Sequence, residues 1–183
     1  MEIRPYQPKD YERMHKICFE TSNGFNSEKG KVVLYAMYCD YYINEEPESC
    51  FVAVNDNDEA IGYVICAPDD ERYQRIFKEK YAPILKKASL FKYLFHYAGE
   101  WYTKKVRKLY PAHLHIDILE EGQRQGLGTR LIDTLVAHLK EKGVKGLHLG
   151  CSASNEKGVN FYRKYGFKEY DNKFGGVTFV MEL

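Results

Sequence analysis

The chain is 183 residues long, 44% hydrophobic, and carries a formal charge of +1. That length and apolar content exclude wholesale disorder and allow one sizeable core, while the near-neutral balance excludes a surface that grips nucleic acid along its whole extent. Met1-Glu2-Ile3-Arg4 opens no apolar leader, no run approaches membrane-spanning length, and Cys18, Cys39, Cys50, Cys66 and Cys151 show no Cys-x-x-Cys spacing, so the expectation is a soluble cytoplasmic protein with reduced, mostly buried thiols and no metal site.

In chain order, Ile3-Arg4 followed by Gln7, Pro8, Lys9 and Asp10 reads as a short strand and a capped helix start. Glu28 to Ile43 has the Tyr, Val and Met content of a second helix. Cys50 to Asn55 and Ala60 to Ala67 flank Asp56-Asn57-Asp58, which is the composition of a hairpin.

Residues 68–110 form an insertion with eleven Lys and Arg against five Asp and Glu, a local balance of +6 that leaves −5 for the remainder. Tyr73, Phe77, Tyr81, Phe91, Tyr93, Phe95, Tyr97, Trp101 and Tyr102 are interleaved with the basic residues at mostly helical spacings. Two readings stay open. Two helices pack their aromatics on a sheet and leave a solvated basic face, or the segment forms a lid whose positive field favours an anionic ligand.

From His113 to Leu119, Leu114, Ile116 and Ile118 alternate with His113, His115 and Asp117, the period-2 pattern of a strand. Leu127, Leu131, Leu135 and Leu139 then recur every fourth residue as far as Lys142, and Gly143 supplies a stop. Lys145 to Cys151 reads as a buried strand, Lys157 to Tyr165 as a short helix, and Phe167 to Tyr170 with Val177 to Leu183 as a closing pair around Gly175-Gly176. With no internal repeat, low-complexity tract or linker, residues 1–183 are expected to form a single domain.

Between the strand and the leucine-striped helix lies Gln123, Arg124, Gln125, Gly126, Leu127, Gly128, Thr129. At such a turn the first helical N–H groups lack intrahelical partners and face the positive end of the helix dipole, so a diphosphate can approach where no Cβ blocks it. A P-loop needs Lys after its last glycine, where Thr129 stands, and the dinucleotide fingerprint needs glycine at Leu131.

The remaining pattern, Gln-x-x-Gly-x-Gly, resembles the coenzyme A loop of the GNAT N-acetyltransferase superfamily. Downstream, Asn155, Glu156, the segment carrying Phe161 and Tyr162, and then Gly166-Phe167 resemble the second signature of that family. The resemblance spans nearly the whole chain. It implies an α/β (α+β) GNAT fold, a mixed central sheet of about six or seven strands flanked by helices, with the helical insertion between the third and fourth strands. It departs from the pattern at Glu120, where Pro is common, and at Gly122, where an aromatic is common.

The resemblance further implies acetyl transfer from acetyl-CoA, the co-substrate, to a primary amine of a small molecule or peptide by direct attack in a ternary complex. Coenzyme binding would fall to Ile118, Glu120, Gln123, Arg124, Gln125, Gly126, Leu127, Gly128, Thr129, Asn155 and Tyr162. The main-chain N–H of Ile118 would stabilise negative charge in the reaction. Tyr162 would protonate the leaving thiolate, since a phenol with a pKa of ~10 is protonated at neutral pH.

Plainer readings remain beside these. Tyr162 can be a core aromatic, Asn155 a helix cap, and Cys151 a small buried side chain. For the general base the preference is Asp117, then His115. Family members carry a base on this strand where this chain has Ala112 or Leu114, so alternation would turn the His/Asp face away from the acceptor unless a bulge re-aims it. The alternative function is a catalytically silent acyl-CoA sensor. Expected partners are the amine acceptor, with no nucleic acid and no membrane, and the chain is expected to be a monomer or homodimer.

Overall fold

The computed structural model describes residues 1–183. β1 (Glu2–Pro5) passes through a 3-10 turn, Pro8–Asp10, into α1 (Tyr11–Thr21). The expected cap is present: the Gln7 amide donates to Asp10 Oδ2 at 2.9 Å, and the Arg4 guanidinium holds both oxygens of that carboxylate at 2.7 and 2.9 Å.

The single helix expected over Glu28 to Ile43 is instead two. α2 (Glu28–Tyr38) ends at Cys39, where φ −138° and ψ −58° leave helical geometry, and α3 (Asp40–Glu45) follows. The break lets Tyr41, Tyr42 and Ile43 all enter the core, three successive positions that one stripe of a continuous helix does not offer. The hairpin of β2 (Cys50–Val54) and β3 (Ala60–Ala67) forms as the sequence indicates. Every residue of β3 is buried because helices cover both faces of the sheet there.

Three helices occupy the insertion where two are expected. α4 (Asp70–Ile76) runs through a π-helical turn, Phe77–Tyr81, into α5 (Ala82–Ala88), and Ser89 caps α6 (Leu90–Leu109) by accepting from the Lys92 amide. Tyr73, Phe77, Tyr81 and Leu85 enter the core, whereas Phe91, Phe95 and Trp101 of α6 stay exposed. Arg107 ties α6 to α4. Its Nη1 meets both Asp70 oxygens at 2.7 Å and lies 3.4 Å from Glu100 Oε2, and its Nη2 donates to the Glu100 carbonyl at 2.8 Å.

The remaining elements are β4 (Ala112–Ile118), α7 (Leu127–Glu141), β5 (Gly146–Ser152), α8 (Glu156–Tyr165), β6 (Lys168–Lys173) and β7 (Gly176–Glu182). One seven-stranded sheet results, in the order β1-β2-β3-β4-β5-β7-β6. Only β4 and β5 are parallel, and they pair at just two positions, Ala112 with Leu147 and His113 with His148. Beyond these the strands part. β5 is accordingly buried only through Leu149, and Gly150 and Ser152 are exposed, so the strand expected to be buried to Cys151 opens at its far end. α1 to α5 pack on one face of the sheet, and α7 and α8 on the other. No helix is long and apolar enough to cross a membrane.

Removing one partner of a buried ion pair leaves the other charge uncompensated. Arg107→Ala should therefore lower the unfolding free energy by about 3 kcal/mol in urea denaturation, and an unchanged midpoint would show that the insertion is not anchored by this residue.

Candidate active site

The turn after β4 is built to leave backbone donors free. A 3-10 turn, Glu120–Gly122, uses the Gly122 amide on the Leu119 carbonyl and the Gln123 amide on the Glu120 carbonyl. The first helical bond of α7 is from the Arg130 amide to the Gly126 carbonyl. None of the six amides from Arg124 to Thr129 donates to a protein acceptor, and no side chain caps the helix. Two left-handed residues, Arg124 (φ 61°) and Gly126 (φ 75°), turn the chain here, and Gly126 is the residue type that takes such a φ without penalty. The side chains of Gln123 and Gln125 stiffen the turn by donating to the carbonyls of Ile118 (3.0 Å) and Glu121 (2.6 Å).

Both glycines in question here have a steric reason. A Cβ on Gly122 would stand 2.9 Å from Ile118 Cγ2, so the turn's own fold favours glycine there. A Cβ on Gly128 would meet the Phe161 ring at 3.1 Å, so this glycine lets α8 approach α7.

This turn adjoins the gap between β4 and β5. The Leu119 amide donates to the Ile61 carbonyl, and antiparallel pairs alternate, so the N–H groups of Ile116 and Ile118, beyond the last β4–β5 pair, point away from β3 into the gap. The Ile118 carbonyl is occupied by Gln123, which leaves its N–H as the free group. Glu120 keeps only its N–H, its carbonyl being used by the turn. The gap holds a cleft of about 180 Å³ lined by Leu114, His115, Ile116, Asp117, Gly150, Cys151, Ser152, Asn155 and Tyr162. His115 and Asp117 of β4 and the Asn155 cap and Tyr162 of α8, two pairs well separated in sequence, are thus brought to one cavity.

No bulge re-aims β4: its register against β3 runs unbroken from His113–Ala67 to Ile118–Gly62. Ala112 and Leu114 pack with α7, and the His/Asp face turns toward α1 to α3. Asp117 and His115 reach the cleft all the same, because the parted strands open it through the sheet. Tyr63, directly across from Asp117 on β3, donates to Asp117 Oδ2 at 2.5 Å. Burial pushes the Asp117 carboxyl above its ordinary range, and the Tyr63 hydrogen bond offsets part of that.

Burial drives the His115 ring down to about 4, with His148 adding to the effect, and burial likewise lowers His113. Both imidazoles are therefore neutral near pH 7. The Tyr42 hydroxyl bridges them, 2.9 Å from His113 Nε2 and 3.0 Å from His115 Nε2. With one proton to give, Tyr42 donates to one ring and accepts from the other, which couples their tautomers.

Tyr162 combines its two readings. Its ring packs among Phe161, Phe167 and Phe179, while the residue also lines the cleft. Burial, reinforced by Cys151 and Asp117, pushes the phenol up, so it holds its proton at neutral pH. Asn155 caps α8, its Oδ1 accepting from the Gly158 amide at 3.0 Å. Cys151 is half-buried rather than buried and borders the cleft. Tyr42 and Tyr63, which hold the His/Asp face, were not marked by any local pattern. Only the pairing of Tyr63 with Asp117 across two strands gives Tyr63 away.

A family model described as the acetyltransferase (GNAT) family matches residues 11–167. N-alpha-acetyltransferase 30 of Schizosaccharomyces pombe is 27% identical over 130 residues, covering 71% of this chain and 64% of that protein, so the match spans less than two thirds of the relative. The crystal structure of SsHAT superposes with a TM-score of 0.88 at 26% identity, covering 99% of this chain and 97% of that one. An N-acetyltransferase, PaiA, from Thermoplasma acidophilum in complex with coenzyme A shares the fold, with a TM-score of 0.61 at 16% identity over 100% of this chain and 98% of that one.

An added Cβ at Gly126 would meet nothing within 4 Å, so only the backbone penalty of a left-handed L-residue applies there. Gly126→Ala is expected to lower stability by about 1 kcal/mol by chemical denaturation.

Proposed function

The chain belongs to the acetyltransferase (GNAT) family, and we propose that it is an acyltransferase that moves an acetyl group from acetyl-CoA to a primary amine of a small molecule or peptide by direct attack. The observation that carries this reading is the row of free amides from Arg124 to Thr129 at the start of α7, opening beside the β4/β5 gap. Such donors at a helix N-terminus fit a diphosphate, and the free N–H edge of β4 fits the amide-bearing arm that follows it in coenzyme A. Acetyl-CoA supplies the activated thioester.

In this reading Asp117 takes a proton from the acceptor's ammonium, which gives the nitrogen the lone pair it needs. A carboxyl raised by burial suits that task better than an ordinary one. The Ile118 N–H faces the oxygen on which charge develops. Tyr162 gives its proton to the departing sulfur as the C–S bond breaks, and it regains one from the nitrogen that has become an amide. Asn155 holds α8, and with it Tyr162, in place. Tyr42, shared with His113, holds His115 on the strand face that also carries Asp117. Five free thiols, four of them buried, support placing the enzyme in a reducing compartment such as the cytoplasm.

Release of free thiol from acetyl-CoA in the presence of an amine panel tests the reaction. Tyr162→Phe should lower kcat by roughly a hundredfold with little change in coenzyme affinity. Coenzyme binding without turnover on any amine would replace this reading with the silent sensor.

The base must be deprotonated to work, so kcat/KM should rise with pH through a limb that lies above the ordinary carboxylate range. Tyr63→Phe removes a hydrogen bond that favours the charged form and should move this limb further up, whereas Asp117→Asn should abolish it. A limb unmoved in both variants would remove Asp117 from the role.

A further inference from the structure

The outer face of α6 is apolar and uncovered. Phe91, Leu94, Phe95 and Trp101 are 73%, 58%, 64% and 80% exposed, and with Ala98 they follow the i, i+3, i+4, i+7, i+10 spacing of one helical stripe. The opposite face of the same helix does the packing, through Tyr93, His96, Tyr97 and Arg107. The stripe therefore contributes nothing to the fold, and large apolar side chains left in water at this density mark an interaction surface.

Its charge narrows the partner. Between Ala82 and Leu109 the one acidic residue is Glu100, which is turned inward against Arg107 and Gln74. Lys104, Lys105 and Lys108 stand at the C-terminal end of the stripe and Lys87 precedes its first turn, whereas Lys86 and Lys92 lie over the rings of Tyr93 and Phe25 on the packed side. A second copy pairing through this face would bring lysines near lysines, and the carboxylate that adjoins the face, Asp171, is already bonded to Tyr102 and Lys173. A surface that is negative outside and apolar just beneath satisfies both features together.

We propose that α6 docks the protein peripherally on a lipid bilayer rich in anionic headgroups. The helix lies in the interface plane. Phe91, Leu94, Phe95 and Trp101 enter the boundary between headgroups and acyl chains, and the flanking lysines meet the headgroup phosphates. Trp sits well at that depth, its ring being amphipathic. The coenzyme turn lies on other elements, so this docking is independent of the catalytic reading.

Trp101 is the only tryptophan of the chain and reports directly on the contact. Intact protein should co-sediment with vesicles of equal parts phosphatidylglycerol and phosphatidylcholine in about 0.1 M salt, with Trp101 emission shifted to the blue and shielded from an aqueous quencher. Binding should fall at least about tenfold on pure phosphatidylcholine vesicles, at high salt, and in the variant K104E/K105E/K108E. Phe95→Glu should abolish the blue shift. Phe95 is exposed, so this variant is expected to keep its thermal melt by circular dichroism, which separates loss of docking from loss of fold. No sedimentation of the wild type with anionic vesicles would overturn the proposal. So would a dimer in analytical ultracentrifugation that Phe95→Glu dissociates, since the stripe would then belong to a second copy.

Discussion

The parting of β4 from β5 after two residue pairs is the constraint from which the rest of the site follows. Inside a sheet, unpaired backbone groups are expensive, and here two interior strands each present an open edge to the other. The strands are pinned at one end. His148 Nδ1 bonds the Tyr110 carbonyl at 2.7 Å, and Gly146 lies so close to Tyr110 that a Cβ would stand 2.7 Å from its ring. Beyond that anchor α7 and α8 spread the strands, with Phe161 seated against Gly128 and Tyr162 wedged among phenylalanines. The result is a slot with N–H groups along one wall and a phenol on the other.

The same separation reconciles two demands on β4. One face must pack against α7, which Ala112 and Leu114 do, and the other carries His113, His115 and Asp117 into a layer of tyrosines. A tyrosine hydroxyl meets each of these side chains, although the buried Nδ1 of His113 has no partner. Burial sets the protonation states as well, keeping the imidazoles neutral and raising the carboxyl. Because the slot opens through the sheet, a face that alternation turns toward α1 to α3 still borders the cleft.

The insertion illustrates how much a local pattern conveys. Its aromatic and basic spacing indicates helices, and helices form. The same pattern does not tell which aromatics are wanted by the core: Tyr73 and Phe77 are buried, Phe91 and Trp101 are not. That division depends on which turn of which helix meets the sheet. Cys39 is a similar case, since nothing in Glu28 to Ile43 announces a break whose purpose is to seat Tyr41 and Tyr42.

The glycine turn, the strand before it, the leucine-striped helix after it and the capped α8 are all legible from residues within a few positions of one another. Backbone propensity and capping act over that range, and the amides of a helix N-terminus are free wherever such a helix begins. The surroundings of Asp117 and His115 belong to another scale. Tyr63 lies 54 residues from Asp117, and Tyr42 lies 71 and 73 residues from the two histidines it bridges. Strand register and helix packing make those neighbours, and so protonation states, the open cleft and the uncovered face of α6 came into being only when the chain had folded.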